Sequence, residues 1–187
     1  MSDGLLLHPT WNVYKFKDKN RNIHEEIQNG DLKIWEAVEH YEKKYLGCHT
    51  NEGNAATTAG IKYLMWAMCG VITNVSAPTS THQFTNALAY TVVGTGSGAA
   101  AQTDTYATFT SPTTAVMVST YPSCSAATPW KLTFESSYAA GSGTGLWNEM
   151  GVGNTSVAAT LFDRVVSSKG TKDAAETWVL DVVITFT

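Results

Sequence analysis

Charged side chains are scarce in this sequence, and several features that assign proteins to broad classes are missing. Lys, Arg, Asp and Glu make up 15% of the 187 residues, and the net charge is −4, so composition does not favour binding to nucleic acid. No apolar run reaches the roughly 18 residues of a membrane helix. The start of the chain lacks the basic region and cleavage site of a secretory signal. We therefore expect a protein made in a cytoplasm, with no membrane insertion and no nucleic-acid partner.

Cysteines are also few. Cys48, Cys69 and Cys124 are too few and too scattered for a disulfide framework. We expect all three to be reduced and to behave as small buried apolar groups. The nearest approach to a metal site is His40 with Cys48 and His49, but no C-x-x-C or H-E-x-x-H pattern accompanies it. The sequence predicts no metal ligands and no cofactor.

The motifs of common enzymes are missing as well. GTGSG beginning at Gly94 and GSGTG beginning at Gly141 match neither the P-loop nor the dinucleotide-binding pattern, so both indicate turns. No G-x-S-x-G nucleophile motif is present. Glu135 and Glu149 are acidic residues in a part of the chain with few charges, and they are candidates for the carboxylate pair of a glycosidase. Isolated acids in a charge-poor region are more often surface or turn-fixing groups, so we predict no catalytic residues and no enzymatic activity.

The charges that are present lie mostly near one end. Residues 1–47 hold 15 of the 28 charged side chains, whereas Asp104 is the only one from Tyr63 to Trp130. This shift, together with the residue patterns below, predicts three parts: an extended docking arm over 1–28, a helical segment over 29–70 and an antiparallel β-sandwich domain over 71–187. The predicted fold is mainly β with some α, and the sandwich is expected to be jelly-roll-like.

The first part mixes aromatic and basic residues without a regular period. Side chains of this kind have little to pack against within a short segment, so we expect them to dock on another surface. The candidate docking residues are Trp11, Tyr14, Lys15, Phe16, Lys17, Lys19 and Arg21.

The next part of the chain has apolar residues at helical spacing. Asp31 is a plausible N-cap, apolar residues then recur every three or four positions from Ile34 to Tyr45, and Gly47 ends the pattern. A second helical stretch is predicted over 55–69.

After residue 71 the sequence turns to short Thr- and Val-rich runs separated by Gly, Pro and Ser. Strands are predicted at 87–93, 115–119, 130–134, 159–166 and 177–186. The last has the clearest alternation, which predicts core positions for Leu180, Val182, Ile184 and Phe186.

Five short motifs of this second part resemble, in order, those of a known class of proteins. They are LAYTVVGTG at 88–96, AAAQTDT at 99–105, EMGV at 149–152, LFDR at 161–164 and WVLDVVITF at 178–186. Bacteriophage virion structural proteins of the tail-fibre and head-decoration (head fibre) kind carry a similar series. The resemblance covers roughly residues 57–187.

This resemblance implies a non-enzymatic virion component: a capsid decoration protein, a head or neck fibre, or a part of the tail. Its location would be the virion, and its partners would be other virion proteins and further copies of itself. The low charge of the central region favours a homo-oligomer, and we expect a trimer.

A carbohydrate-binding β-sandwich module for attachment to a host surface is the alternative. Tyr138 and Trp147 lie beside Gly-rich loops, where flat rings could stack on a host-surface glycan, whereas Trp130 and Trp178 are expected to fill the core.

Overall fold

The described part of the chain forms two antiparallel β-sheets that pack face to face, with two short α-helices on the outside of one sheet. The structure, a computed structural model, describes residues 7–52, 55–56, 84–125, 129–154 and 160–186. The strands are β1 (Leu7–Lys17), β2 (Tyr45–Glu52), β3 (Ala55–Ala56), β4 (Ala89–Gly94), β5 (Thr113–Val116), β6 (Ser123–Ser125), β7 (Trp130–Tyr138), β8 (Gly145–Asn154), β9 (Thr160–Lys172) and β10 (Glu176–Phe186). The helices are α1 (Asn22–Asn29) and α2 (Ile34–His40).

Each sheet has five described strands. Sheet one has the order β2-β1-β10-β7-β6, and sheet two has the order β3-β9-β8-β4-β5. Neighbouring strands in both orders are antiparallel. Alternate residues of both sheets point inward and form one apolar core. The prediction of a mainly β fold built from antiparallel sheets is confirmed.

The C-terminal strand lies in the middle of sheet one, as its alternation indicates. Leu180, Val182 and Ile184 are buried in the core between the sheets, and Phe186 packs against that core at its margin. Val179 points to the other face and is buried beneath the helices. Because both faces of β10 are covered, its run of apolar residues is longer than one buried face requires.

Residues 7–17 are not an arm, which corrects the expectation for the first part of the chain. They form β1, which pairs with β10 along its whole length and with β2 on the other side. Trp11 and Val13 are fully buried between the sheets, and Phe16 is fully buried under the helices. The alternation of β1 was obscured because its outward side chains, Tyr14 and Phe16, are apolar too. The helices that cover them make both faces of the strand interior.

The helices differ from the predicted ones in their bounds. The spacing from Ile34 is helical only to His40, the N-cap is Lys33 rather than Asp31, and Tyr45 already begins β2. The helix α1 was not predicted; its Ile23 and Ile27 pack on sheet one. Of the second predicted helix, only residues 55–56 are described, and they form β3; residues 57–69 lie outside the described residues.

The five predicted strands correspond to β4, β5, β7, β9 and β10, with ends that differ by up to six residues. The other strands were missed. β8 is the longest of the missed strands after residue 71. It contains three glycines, so its composition alone indicates a turn.

Candidate functional site

A buried ion pair joins two adjacent inner strands of sheet two. Glu149 on β8 and Arg164 on β9 are at most 2% exposed. Arg164 donates from Nε and Nη2 to Glu149 Oε2 at 3.2 and 2.6 Å. A carboxylate and a guanidinium that are both removed from water are stable only if their remaining hydrogen-bonding groups are also satisfied.

The remaining groups of the pair are satisfied by the loop between β4 and β5. Glu149 Oε1 accepts the backbone N–H groups of Gly96 and Thr110, both at 2.7 Å. Arg164 donates from Nη1 to Asp104 Oδ2 at 2.7 Å and from Nη2 to the carbonyl of Gly98 at 3.2 Å. The three charged residues therefore hold residues 94–110 against the sheet. We call Asp104, Glu149 and Arg164 the charge network.

Two glycines of the GTGSG segment make this close approach possible. A Cβ at Gly96 would lie 2.5 Å from Glu149 Oε1, and one at Gly94 would lie 2.6 Å from the same oxygen. A Cβ at Gly98 would meet no atom within 4 Å. The segment is a loop, and its Gly96 N–H group is bound to a carboxylate, so it does not act as a phosphate cradle.

The charge network has little capacity for acid–base chemistry. Each oxygen of Glu149 accepts two hydrogen bonds, and Arg164 is shared between two carboxylates. The other candidate acid, Glu135, lies on β7 in the opposite sheet. The structure therefore does not bring Glu135 and Glu149 together as a glycosidase pair.

Glu135 instead lies next to a different acid. It is the cross-strand neighbour of Asp181 on β10, on the outer face of sheet one. Burial, and then repulsion from Asp181, raises the pKa of Glu135 to about 8, while a hydrogen bond from Tyr121 acts against this rise. Burial raises the pKa of Asp181 to about 6, and a hydrogen bond from Asn12 acts against it. Among the described residues Glu135 Oε2 has no hydrogen-bond partner.

The predicted docking residues do not form one surface. Trp11 and Phe16 are fully buried on opposite faces of β1, so neither is available to a partner. Tyr14 and Lys15 are half-buried. The exposed candidates are Lys17, Lys19 and Arg21, of which the first two line a groove of about 500 Å³ together with Lys44, Asp18 and Glu176.

The predicted glycan-binding aromatics are interior, which overturns that assignment. Tyr138 and Trp147 are at most 1% exposed. Their ring centroids lie 4.7 Å apart, and Trp178 follows at 4.9 Å. Tyr138 shares a hydrogen bond with Thr91, and Trp147 donates to the carbonyl of Gly143. Trp130, expected in the core, is 58% exposed, whereas Trp178 is buried as predicted.

The histidines and cysteines stay dispersed. Cys48 is half-buried and Cys124 is exposed, against the expectation that both are buried, and Cys69 lies outside the described residues. Within the described ranges, no three His, Cys, Asp or Glu side chains are grouped as a metal site. In the same part of the chain, no helix is long and apolar enough to cross a membrane.

Sequence reasoning missed how these charges combine. Asp104, Glu149 and Arg164 stand in three separate motifs, and only the register of β8 with β9 brings two of them side by side. Asp181 lies within the alternating run of β10, and the sequence alone gives no sign that it faces Glu135. Comparison of this chain with protein-family models, with curated proteins and with solved structures gives no match.

Proposed function

We propose that this chain is a non-enzymatic structural protein of a bacteriophage particle, located in the virion after synthesis in the host cytoplasm. It would serve as a capsid decoration protein, a head or neck fibre, or a tail component. In this proposal its sandwich is jelly-roll-like, and it assembles with other copies of itself and with other virion proteins.

The convergence of the resembling motifs on the charge network is the observation that carries the proposal. AAAQTDT contributes Asp104, EMGV contributes Glu149, and LFDR contributes Arg164. All three side chains are used to hold a surface loop. A structural role uses charged residues in this way, whereas a catalytic role requires a group that is free to react.

Strand nesting supports the jelly-roll-like part of the proposal. β7 pairs with β10 in sheet one, while β8 and β9, which lie between them in the chain, pair with each other in sheet two. Greek-key nesting of this kind occurs in jelly rolls, which include viral capsid domains.

Exposed apolar groups and an edge strand support self-assembly. β2 lies at one edge of sheet one among the described strands, so one side of its backbone is available for pairing. Among the residues that the structure describes, five large apolar side chains are 41–64% exposed, namely Trp35, Leu46, Val116, Trp130 and Leu146. Apolar side chains on a surface become stable when another chain covers them.

The fold changes which residues we propose for the contact with the particle. Because Trp11 and Phe16 are interior, we propose that docking uses the exposed basic groups Lys17, Lys19 and Arg21 instead of aromatic anchors. Basic groups of this kind steer association with an acidic surface. A carbohydrate-binding role has no support from Tyr138 and Trp147, because both rings are buried.

Deletion of the gene from the source phage, followed by addition of the purified chain to the resulting particles, tests the proposal. We expect particles that lack the chain to bind it and to recover the density of wild-type particles in cryo-electron microscopy. A triple variant, Lys17→Ser, Lys19→Ser and Arg21→Ser, should bind more weakly, while the exposed control Lys131→Ser should bind normally. Particles of identical composition with and without the gene would overturn the proposal.

A further inference from the structure

β2 is an edge strand of sheet one, and one side of its backbone is unpaired among the described strands. It pairs with β1 from Tyr45 to Glu52 on one side, and no described strand lies on the other side. The N–H and C=O groups along such an edge can pair with a strand of another chain. The side chains of Leu46, His49, Thr50 and Glu52 are exposed, so this edge is accessible to solvent.

Opposite charges stand at the two ends of this strand. Lys44 directly precedes β2 and Glu52 is its last residue, and both side chains are exposed. The two salt bridges among the described residues both belong to Arg164, so neither Lys44 nor Glu52 has an ionic partner in that part of the chain. Two copies of β2 that run antiparallel can place the Lys44 of each copy beside the Glu52 of the other. Opposite charges that face each other across two strands stabilise the pairing.

The residues between these two ends fit the register that the charges select. When Lys44 faces Glu52, the two-fold axis passes through Cys48, and residues equally distant from Cys48 face each other. His49 of one copy then faces Gly47 of the other. Gly47 has no side chain, and a Cβ placed on it would meet no atom within 4 Å, so the imidazole ring has room.

The same register covers the exposed apolar side chain of β2. Leu46 is 42% exposed and has no partner residue in the register with β1. In the two-fold arrangement it faces Thr50 of the other copy, and the contact removes apolar surface from water. From Gly47 to Glu52 the register with β1 is regular, so this part of the strand keeps the extended backbone that pairing requires.

We propose that β2 pairs with the β2 of a second copy of this chain, antiparallel and about a two-fold axis at Cys48. Backbone hydrogen bonds then join the five described strands of sheet one in one copy to the five in the other. The end charges fix the direction and the register. This inference rests on the self-assembly in the proposed function and gives it a defined contact. Because a two-fold contact closes after two copies, it can also join two trimers of the kind expected from composition.

Sedimentation velocity of chains with reversed end charges tests the contact. Glu52→Lys should weaken self-association at least about fivefold, because it places two lysines together at both ends of the contact. Addition of Lys44→Glu to Glu52→Lys should restore the association of the wild type, because the opposite charges are then exchanged. Lys131→Glu changes an exposed lysine of β7 and is the control, which should associate like the wild type.

Oxidative cross-linking tests the position of the axis. The two copies of Cys48 face each other in this register, and facing residues of antiparallel strands have Cα atoms about 4.5–5.5 Å apart, which a disulfide can span. A chain that keeps only Cys48, with Cys69→Ser and Cys124→Ser, should form a covalent species of two chains when treated with copper phenanthroline in air. A chain that keeps only Cys124, which is exposed, should form much less of it.

Three results would each overturn the proposed contact: Glu52→Lys that associates like the wild type, an exchange of charges that does not restore association, or cross-linking through Cys48 that is no better than through Cys124. A chain that gives one of these results but still associates contradicts the β2 contact alone. A chain that stays monomeric contradicts the self-assembly in the proposed function as well. The binding of the chain to particles is measured separately, so its failure is distinguishable from the failure of this contact.

Discussion

Glu135 makes the stability of the sandwich depend on pH, and Glu135→Gln should remove most of that dependence. The carboxyl group is 1% exposed, and burial followed by repulsion from Asp181 raises its pKa to about 8. In the unfolded chain this pKa is 4.5. The folded state therefore holds the proton more tightly than the unfolded state. The contribution of Glu135 to stability is complete below pH 4.5 and is lost as the pH rises through about 8.

The size of the effect follows from the two pKa values. One pKa unit corresponds to about 1.4 kcal/mol, so the interval from 4.5 to about 8 gives roughly 5 kcal/mol as an upper value. Asp181 titrates in the same direction near pH 6 and shares part of the repulsion. We expect the Glu135 contribution to fall by roughly 3–5 kcal/mol between pH 5 and pH 9.

Urea unfolding at pH 5, 7 and 9, followed by circular dichroism, measures this difference. Gln has the shape of Glu and carries no charge, so the variant should match the wild type within about 1 kcal/mol at pH 5 and exceed its stability by several kcal/mol at pH 9. Glu39→Gln, at an exposed position of α2, is the matched control for the Glu-to-Gln change itself. The reasoning would be refuted if the difference in unfolding free energy between Glu135→Gln and the wild type did not change with pH, or if the variant were less stable than the wild type at pH 9.

Four further outcomes are expected from single substitutions. Trp11→Ala should lower the free energy of unfolding by about 3–5 kcal/mol in urea titrations, because the ring is fully buried between the sheets; an unchanged value would restore the arm interpretation. Arg164→Met should cost about 3–5 kcal/mol by the same assay, since it leaves a buried carboxylate unpaired. Gly96→Ala should accelerate amide hydrogen exchange in residues 94–110, whereas Gly98→Ala should not, because only the first Cβ meets a neighbouring group. Trp130→Ser should change stability by no more than about 0.5 kcal/mol yet weaken self-association in light scattering, because the ring is exposed.

The strands with a single polar face or strong alternation could be predicted from sequence. Leu180, Val182 and Ile184 recur at every second position of β10, and their burial on one face follows from this period of two. The same rule failed for β1, because Tyr14 and Phe16 on its outward face are covered by helices whose position no local pattern reveals. Because these helices make both faces of β1 interior, its sequence does not alternate between apolar and polar residues.

The aromatic residues beside glycines show a second limit of local reading. Tyr138 and Trp147 flank a loop in which Gly141, Gly143 and Gly145 have positive φ. These conformations turn the chain back sharply. The Gly143 carbonyl then accepts the Trp147 indole N–H, and both rings are directed into the core. Glycine content suggests an exposed loop, but the dihedral angles decide where the neighbouring rings lie.

The individual residues of the charge network could be recognised in the sequence, but the interactions among them could not. Asp104, Glu149 and Arg164 each stood out in a motif or in a charge-poor region. Their combination requires strand register and a loop that crosses the end of the sheet, which are long-range properties.

Quantitative mass spectrometry of gradient-purified virus particles, prepared from cultures that express this chain, tests the proposed virion role most directly. The virion proposal predicts that peptides of this chain occur at a fixed ratio to the major capsid protein, unchanged through successive gradients, with a copy number that fits a symmetric assembly. Peptides that are absent from purified particles and found only in the soluble fraction of infected cells would contradict it.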